Sequence, residues 1–131
     1  RLKTVSLYER YGHMNEIGEM ELKFAELIWS RAPIGSGELV ALCESEFGWK
    51  KSTTYTMLKR LEKRGLFENT DSVVRVKTTR EEFDAGRSER FVRENFGGSL
   101  PCFLTAFTKK VKLSDKDIAE LEELIRSNRR E

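Results

Sequence analysis

The stretch Trp49–Gly65 constrains this chain most, because it combines strong positive charge with a helical apolar stripe. It holds six Lys or Arg residues against one Glu. At about 100° per residue, the residues suited to a core fall on one side of a helix: Thr54, Met57, Leu58 and Leu61. The hydroxyl and amine side chains fall on the other side: Ser52, Tyr55, Thr56, Lys59 and Lys63. One side can therefore pack in a core while the other stays free.

The free side carries the chemistry that contacts duplex DNA. Hydroxyl groups can reach base edges, and ammonium groups pair with phosphates. We predict base contacts from Ser52, Tyr55 and Thr56, with Lys51 and Lys59 at the edge between base and phosphate. The remaining predicted contacts are Lys50 at the helix start and a set on the DNA backbone: Thr53, Arg60, Lys63, Arg75 and Lys77. The alternative is a solvated basic helix, which composition alone supports about equally.

Two helices are predicted before the basic one. From Gly18 to Arg31, apolar residues recur at helical spacing until Ala32-Pro33 ends the pattern. Ser36 is the expected N-cap of the second helix, and Gly48 is its expected terminator. The apolar side of this second helix is formed by Leu39, Val40, Cys43 and Phe47.

A β-hairpin is predicted after Gly65. Leu66–Glu68 and Val73–Thr78 flank the polar segment 69–72, which is typical of a turn. Strand alternation places Arg75 and Lys77 outward and Val74 and Val76 on the opposite side. Both cations are candidates for phosphate contact, although ordinary alternation on an exposed hairpin explains either one equally well. The order of helix, helix, basic helix and hairpin predicts a winged helix-turn-helix over residues 18–79.

A helical region is predicted over residues 80–131, so the fold class is mainly α. Its helices span Arg80–Phe96 up to Gly97-Gly98, then a segment capped at Ser99, then one capped at Ser114. Their apolar side chains would leave too much apolar surface exposed on a monomer. We therefore predict a homodimer interface, formed by Phe91, Leu100, Phe103, Leu104, Phe107, Val111, Ile118, Leu121, Leu124 and Ile125. The alternative is that these residues pack back on the winged helix of the same chain.

These residues resemble the penicillinase-repressor family of the BlaI/MecI type. The resemblance is carried by Glu21-Leu22, Leu27-Ile28-Trp29, Trp49 and the run Thr53-Thr54-x-Thr56-x-Leu58-x-Arg60-Leu61-x-Lys63-x-Gly65-Leu66. It covers most of the chain from about Gly18, and beyond the hairpin it is one of pattern rather than of letters. The resemblance implies a homodimeric transcriptional repressor with one winged helix on each half of a palindromic operator and C-terminal helices that form the dimer. Such a repressor would occlude the promoter.

The chain departs from the family pattern at several positions. Lys50-Lys51 follow Trp49 where the family has a small residue and often a proline, and Ser52 and Tyr55 replace basic residues that the family directs at bases. The family's operator sequence therefore cannot be carried over. The strand Val74–Thr79 also lacks the tyrosine-rich end and the proline of family wings.

The resemblance raises two questions of regulation. Copper-responsive relatives carry closely spaced cysteines near the C-terminus, which this chain lacks, so we expect no metal and no cofactor. In β-lactam-resistance repressors, a sensor-linked protease cuts an Asn-Phe bond in the dimerisation region. Here the corresponding Phe is Phe107, which follows Ala106, and the Asn-Phe pair is Asn95-Phe96 in the preceding helix. Cleavage by such a protease is one hypothesis for relief of repression.

Composition agrees with a regulator rather than an enzyme. The net charge is only +2, but Glu residues gather in the first two helices and the third helix is basic, so DNA would meet a positive local field. The 131 residues include neither a glycine-rich phosphate loop nor metal-ligand spacing, which disfavours an enzyme. A winged helix used for protein contacts is the second alternative. It would be expected to expose aromatic or aliphatic anchors on the third helix, where Tyr55 is the one candidate.

The remaining expectations concern location and the chain ends. The sequence has no apolar run long enough for a membrane span and no signal peptide, so we expect a cytoplasmic protein. Cys43 and Cys102 are then expected as small hydrophobic side chains rather than as a disulfide. Residues 1–17 form an N-terminal extension, in which Met14 is expected as the native start after a vector-derived or mis-assigned leader ending in Gly12-His13.

Overall fold

The computed structural model describes residues 16–130, so the expectations for the leader and for Met14 lie outside the described residues. The elements follow in this order: α1 (Glu19–Arg31), β1 (Ile34–Gly35), α2 (Ser36–Phe47), α3 (Lys51–Lys63), β2 (Phe67–Thr70), β3 (Val73–Val76), α4 (Arg80–Asn95), α5 (Leu100–Lys110) and α6 (Asp115–Ser127). This mainly α order, with a hairpin after the third helix, confirms the predicted winged helix followed by C-terminal helices.

The core of the winged helix takes apolar side chains from α1, α2, α3 and the hairpin. Its fully or almost fully buried members are Phe24, Ala25, Ile28, Ile34, Leu39, Cys43, Leu58, Leu61, Leu66, Phe67 and Val74. Trp29 lies at the border of this core, where its ring packs at a tilt against that of Phe67, with centroids 5.4 Å apart. The indole N–H of Trp29 donates to the carbonyl of Thr78 at 2.9 Å, which ties α1 to the segment after the hairpin.

The sheet contains one more strand than the sequence predicted. Its order is β1-β3-β2, with both pairings antiparallel, and Ile34 lies opposite Val74. The predicted four-residue turn is wrong, because Asn69 and Thr70 belong to β2 and only Asp71 and Ser72 form the loop. Both loop residues have left-handed φ angles, 53° and 61°. Such angles at both central positions match the twist of a two-residue hairpin.

The end of the β2–β3 hairpin, which we call the wing, also differs from the prediction. Val74 is buried as expected, but Val76 is 38% exposed, so the two valines do not share a buried face. Strand β3 ends at Val76, and the N–H of Lys77 donates to the carbonyl of Leu66 at 2.9 Å. Lys77 therefore lies just outside the strand, and strand alternation does not determine the direction of its side chain.

Helix α2 starts and ends as follows. The predicted N-cap is wrong by one residue, because Gly35 holds the cap position and Ser36 is the first helical residue, only 6% exposed. Gly35 pairs with Val73 in the sheet, which draws Ser36 into the interior. The predicted end is confirmed, since Gly48 is the C-cap with a left-handed φ of 68°.

The chain divides into two compact units, the first ending at Arg87 and the second beginning at Ser88. The first unit therefore includes the opening turns of α4. There Arg80 donates to Glu26 of α1 at 2.9 Å and to Asp84 at 3.2 Å, and its guanidinium lies 5.5 Å from the Trp29 ring centroid. The hydrogen bond to Glu26 raises the pKa of Arg80 above its ordinary value. The Phe83 ring lies 5.4 Å from that of Trp29, so these two turns pack on α1.

The second unit contains the end of α4 together with α5 and α6. Gly97 and Gly98 separate α4 from α5 and both have positive φ angles, 58° and 77°, a conformation that favours glycine. Ser99 caps α5 by accepting from the N–H of Cys102 at 3.1 Å, and Ser114 forms a capping box with Asp117, so both predicted caps are confirmed.

Candidate nucleic-acid interface

Helix α3 has one side buried in the core of the winged helix. Thr54 and Leu58 are each 1% exposed, and Leu61 is fully buried. Met57 is only half-buried, and its sulfur lies 3.6 Å from a guanidinium nitrogen of Arg60. The predicted inner side is therefore the observed one, and it fixes which residues of α3 face solvent.

The opposite side of α3 is exposed and rich in positive charge. We call the exposed residues of this helix and its N-cap the cationic face, which comprises Lys50, Lys51, Ser52, Thr56, Lys59, Arg60 and Lys63. Thr53 is half-buried at its edge. Within residues 16–130, the five cations of this face form no ion pair, in contrast to the paired arginines of α4. Their charge is therefore available to an anionic ligand.

Arg64 and Glu62, which lie on or next to this helix, have other roles. Arg64 donates to the carbonyl of Glu16 at 2.6 Å and lies 3.6 Å from the carboxylate of Glu21. The carboxylate of Glu62 accepts the N–H of Asn69 in the wing at 3.2 Å. These two side chains join α3 to its neighbours, and the acidic one is engaged with the hairpin.

Tyr55 lies differently from the free outer position that its helical angle predicted. Its side chain is half-buried and packs against the core, and its hydroxyl donates to the Ser36 hydroxyl of α2 at 3.2 Å. The length of the side chain explains the difference, because a phenol can reach a neighbouring helix from a position that a shorter side chain would leave outside. Sequence reasoning had placed Ser36 only as a cap, so its contact with α3 was missed.

The wing presents two further cations to solvent. Arg75 and Lys77 are both exposed, and Arg75 lies opposite Glu68 in the β2–β3 register. The loop between these strands is attached to α2, because the carbonyl of Ser72 accepts the N–H of Ser36 at 2.8 Å. The structure thus brings α3, the start of α2 and the wing loop together around Ser36.

The buried thiol of Cys43 lies on the inner side of α2. Burial raises the pKa of Cys43 above its ordinary value, so the thiol stays neutral in the core. Both Cys43 and Cys102 are free cysteines, the first buried and the second exposed. Among the described residues, no helix is long and apolar enough to cross a membrane.

The family comparison fits this arrangement. The family model described as penicillinase repressor matches residues 17–127, which spans both units of the chain. The chain belongs to the penicillinase repressor family. Members of this family are transcriptional repressors rather than enzymes.

The similarity of this penicillinase repressor family member to individual relatives also covers most of the chain. The chain is 25% identical over 118 residues to a penicillinase repressor of Bacillus licheniformis, covering 87% of this chain and 92% of the relative. It is 23% identical over 114 residues to the methicillin resistance regulatory protein MecI of Staphylococcus aureus, covering 84% and 93%. It is also 26% identical over 115 residues to an uncharacterised 16.5 kDa protein of Latilactobacillus sakei, covering 85% and 79%.

Within this family member, the second unit exposes seven of the ten residues predicted for dimerisation. Those more than two-fifths exposed are Phe91, Leu100, Phe107, Val111, Ile118, Leu124 and Ile125, while Phe103, Leu104 and Leu121 are half-buried. No residue of α4, α5 or α6 is fully buried in the described chain. The ring centroids of Phe91 and Phe96 each lie within 6.1 Å of that of Phe103, so these three rings form an aromatic cluster in the second unit.

Proposed function

We propose that the chain is a homodimeric, sequence-specific DNA-binding repressor that occludes a promoter by binding a palindromic operator. The observation that carries this proposal is the cationic face of α3. Leu58 and Leu61 anchor the inner side of α3 in the core, and the outer side of the helix offers hydroxyl and amine groups. Helices of this kind enter the major groove in winged helix-turn-helix proteins.

The proposed contacts on DNA follow the exposure of each side chain. Ser52 and Thr56 are the proposed base contacts, and Lys51 and Lys59 lie where they can reach either a base or a phosphate. Phosphate contacts are proposed for the other exposed cations of α3 and the wing and for one neighbouring hydroxyl: Lys50, Thr53, Arg60, Lys63, Arg75 and Lys77. The ring of Tyr55 can contribute only its exposed edge, because its hydroxyl already donates to Ser36.

The homodimer is supported by the exposed apolar surface of the second unit. Leu124 and Ile125 on α6 are 56% and 62% exposed, and Leu100 on α5 is 53% exposed. Burying a large apolar side chain stabilises by about 1.5–3 kcal/mol, so a second copy of this unit would gain much from covering them. Two linked winged helices also raise the affinity for a two-part site through effective concentration.

The alternative, a winged helix used only for protein contacts, finds little support on α3. Tyr55, its one candidate anchor, is half-buried with its hydroxyl engaged. The cationic face has no exposed aromatic or aliphatic residue within the described chain. A surface of lysine and hydroxyl side chains fits a polyanion better than it fits a protein partner.

Relief of repression by a sensor-linked protease would require cleavage at one of two bonds. The Asn95-Phe96 bond lies at the end of α4, directly before the two left-handed glycines. Ala106-Phe107 lies inside α5, where backbone hydrogen bonds hold the peptide in a helix. Of the two bonds, the one at the helix end is the more accessible to a protease. Fragments that end at Asn95 in host cells under β-lactam stress would support this route, and an intact chain throughout induction would exclude it.

The proposed function is tested by selecting duplexes from fragments of the host genome with the purified full chain. We expect a palindromic sequence whose affinity falls steeply with salt. A chain that shows no salt-dependent affinity for any duplex, selected or random, would refute the proposal.

A further inference from the structure

Ser36 bonds both to α3 and to the loop between β2 and β3. It is the first residue of α2 and is 6% exposed. Its hydroxyl accepts from the Tyr55 hydroxyl at 3.2 Å, and its backbone N–H donates to the Ser72 carbonyl at 2.8 Å. A single buried residue therefore connects two surfaces that would both lie on DNA.

The backbone around Ser36 makes this link short. Gly35, the preceding residue, pairs with Val73, so β1 brings the start of α2 to the first residue of β3. Ser72 itself has a left-handed φ of 61°, and its carbonyl accepts the N–H of the first residue of α2. The hydrogen bond between Ser36 and Ser72 joins two backbone groups and involves no flexible side chain. Main-chain geometry therefore fixes the position of the loop.

The other hydrogen bond depends on two side chains. The phenol of Tyr55 packs on the core while its hydroxyl reaches Ser36, and these two hydroxyls lie on different helices, 19 residues apart. A partly buried hydrogen bond between helices favours one rotation of α3 over its neighbours. Small rotations of α3 would move Ser52 and Thr56 relative to the wing cations.

We propose that Ser36 and Tyr55 are positioning residues for DNA binding. The two hydrogen bonds that link Tyr55 to Ser36 and Ser36 to Ser72 fix α3 and the wing in one relative orientation. The Tyr55 hydroxyl acts through these hydrogen bonds rather than on a base. This inference rests on the proposed DNA-binding function. It replaces the sequence-based expectation that Tyr55 reads a base with its hydroxyl.

The test uses the full chain and the duplex selected by it, with four variants. Tyr55→Phe and Ser36→Ala each remove the hydrogen bond between the two hydroxyls, and the double variant removes both partners of that one bond. Ser36→Pro also removes the N–H that donates to Ser72, and proline is tolerated at the first helical position after an extended residue such as Gly35, whose ψ is 140°. Ser45→Ala, on the exposed side of α2, is the matched control.

We expect Tyr55→Phe and Ser36→Ala each to weaken binding of the dimer by about ten- to a hundredfold, because one hydrogen bond, worth about three- to tenfold, is lost in each of the two subunits. The double variant should equal either single variant, because both remove one shared interaction. Ser36→Pro should weaken binding further, and the effect of Arg75→Ala should shrink in that background because the wing is already released. Reselection with Tyr55→Phe should recover the same sequence, and Ser45→Ala should bind as the unaltered chain does.

Three outcomes would overturn the inference while the unaltered chain still binds its duplex. These are unchanged affinity in both single variants, effects that multiply in the double variant, and a changed base at one position with Tyr55→Phe alone. Thermal unfolding of each variant separates loss of fold from loss of positioning, because the affinities are measured far below the unfolding midpoint. Failure of the unaltered chain to bind any duplex would instead refute the proposed function, and the positioning role in DNA binding with it.

Discussion

Replacing Lys59 with Ala should flatten the salt dependence of duplex binding by a calculable amount. Lys59 is exposed on α3 and forms no ion pair within residues 16–130, so the substitution removes one available cation per subunit and two from the proposed homodimer. Each phosphate contact contributes about 0.9 to the slope of log K against log salt, so the slope should fall by about 1.8. Between about 50 and 200 mM salt, the unaltered dimer should therefore lose about tenfold more affinity than the variant.

Fluorescence anisotropy titrations with a labelled duplex at several salt concentrations measure this slope. The control is Lys23→Ala, which removes the same charge from α1, where Lys23 lies 3.8 Å from Glu19 and away from the cationic face. Its slope should match that of the unaltered chain. If Lys59→Ala and the unaltered chain gave equal slopes, Lys59 would make no phosphate contact and the orientation proposed for α3 would be wrong.

Four further predictions concern the core, the dimer and the thiols. Leu61→Ala should lower the free energy of unfolding by about 2–5 kcal/mol in urea titrations, because Leu61 is fully buried; a loss below that of Lys59→Ala would contradict the packing. Leu124→Asp should raise the dimer dissociation constant by about a hundredfold or more in sedimentation experiments, since two leucines would lose burial, whereas an unchanged dimer would place the interface elsewhere. Cys43 should resist alkylation until the chain unfolds, while Cys102 reacts quickly. Because burial raises the pKa of Cys43, its contribution to stability should be complete below pH 9.0 and decline as pH rises above that value; stability that increased there would contradict this burial.

The helical parts of the fold could be predicted because their signals are local. The apolar spacing of Thr54, Leu58 and Leu61 has the period of a helix, and the structure buries all three. The caps at Ser99 and Ser114 could be predicted for the same reason, because a serine hydroxyl satisfies a backbone N–H only three residues away.

The sequence-based predictions were wrong where distant segments of the chain decide the local structure. Strand β1 has only two residues, too few to show alternation, and it forms because β3 offers its free edge. That pairing makes Gly35 the cap of α2 and turns Ser36 inward, which no property of Ser36 itself could indicate. Tyr55 has the helical angle of an outer residue, but its contact with Ser36 depends on where α2 packs.

Methylation protection of guanines in the selected duplex tests the central claim most directly, because guanine N7 faces the major groove. With the full chain bound, we predict two symmetric protected patches whose centres lie about one helical turn, or a whole multiple of it, apart. Replacement of Ser52 or Thr56 by Ala should alter protection within both patches. Guanine N7 protection that is absent or unaffected by α3 substitutions would contradict the account, because the cationic face would then not lie in the major groove.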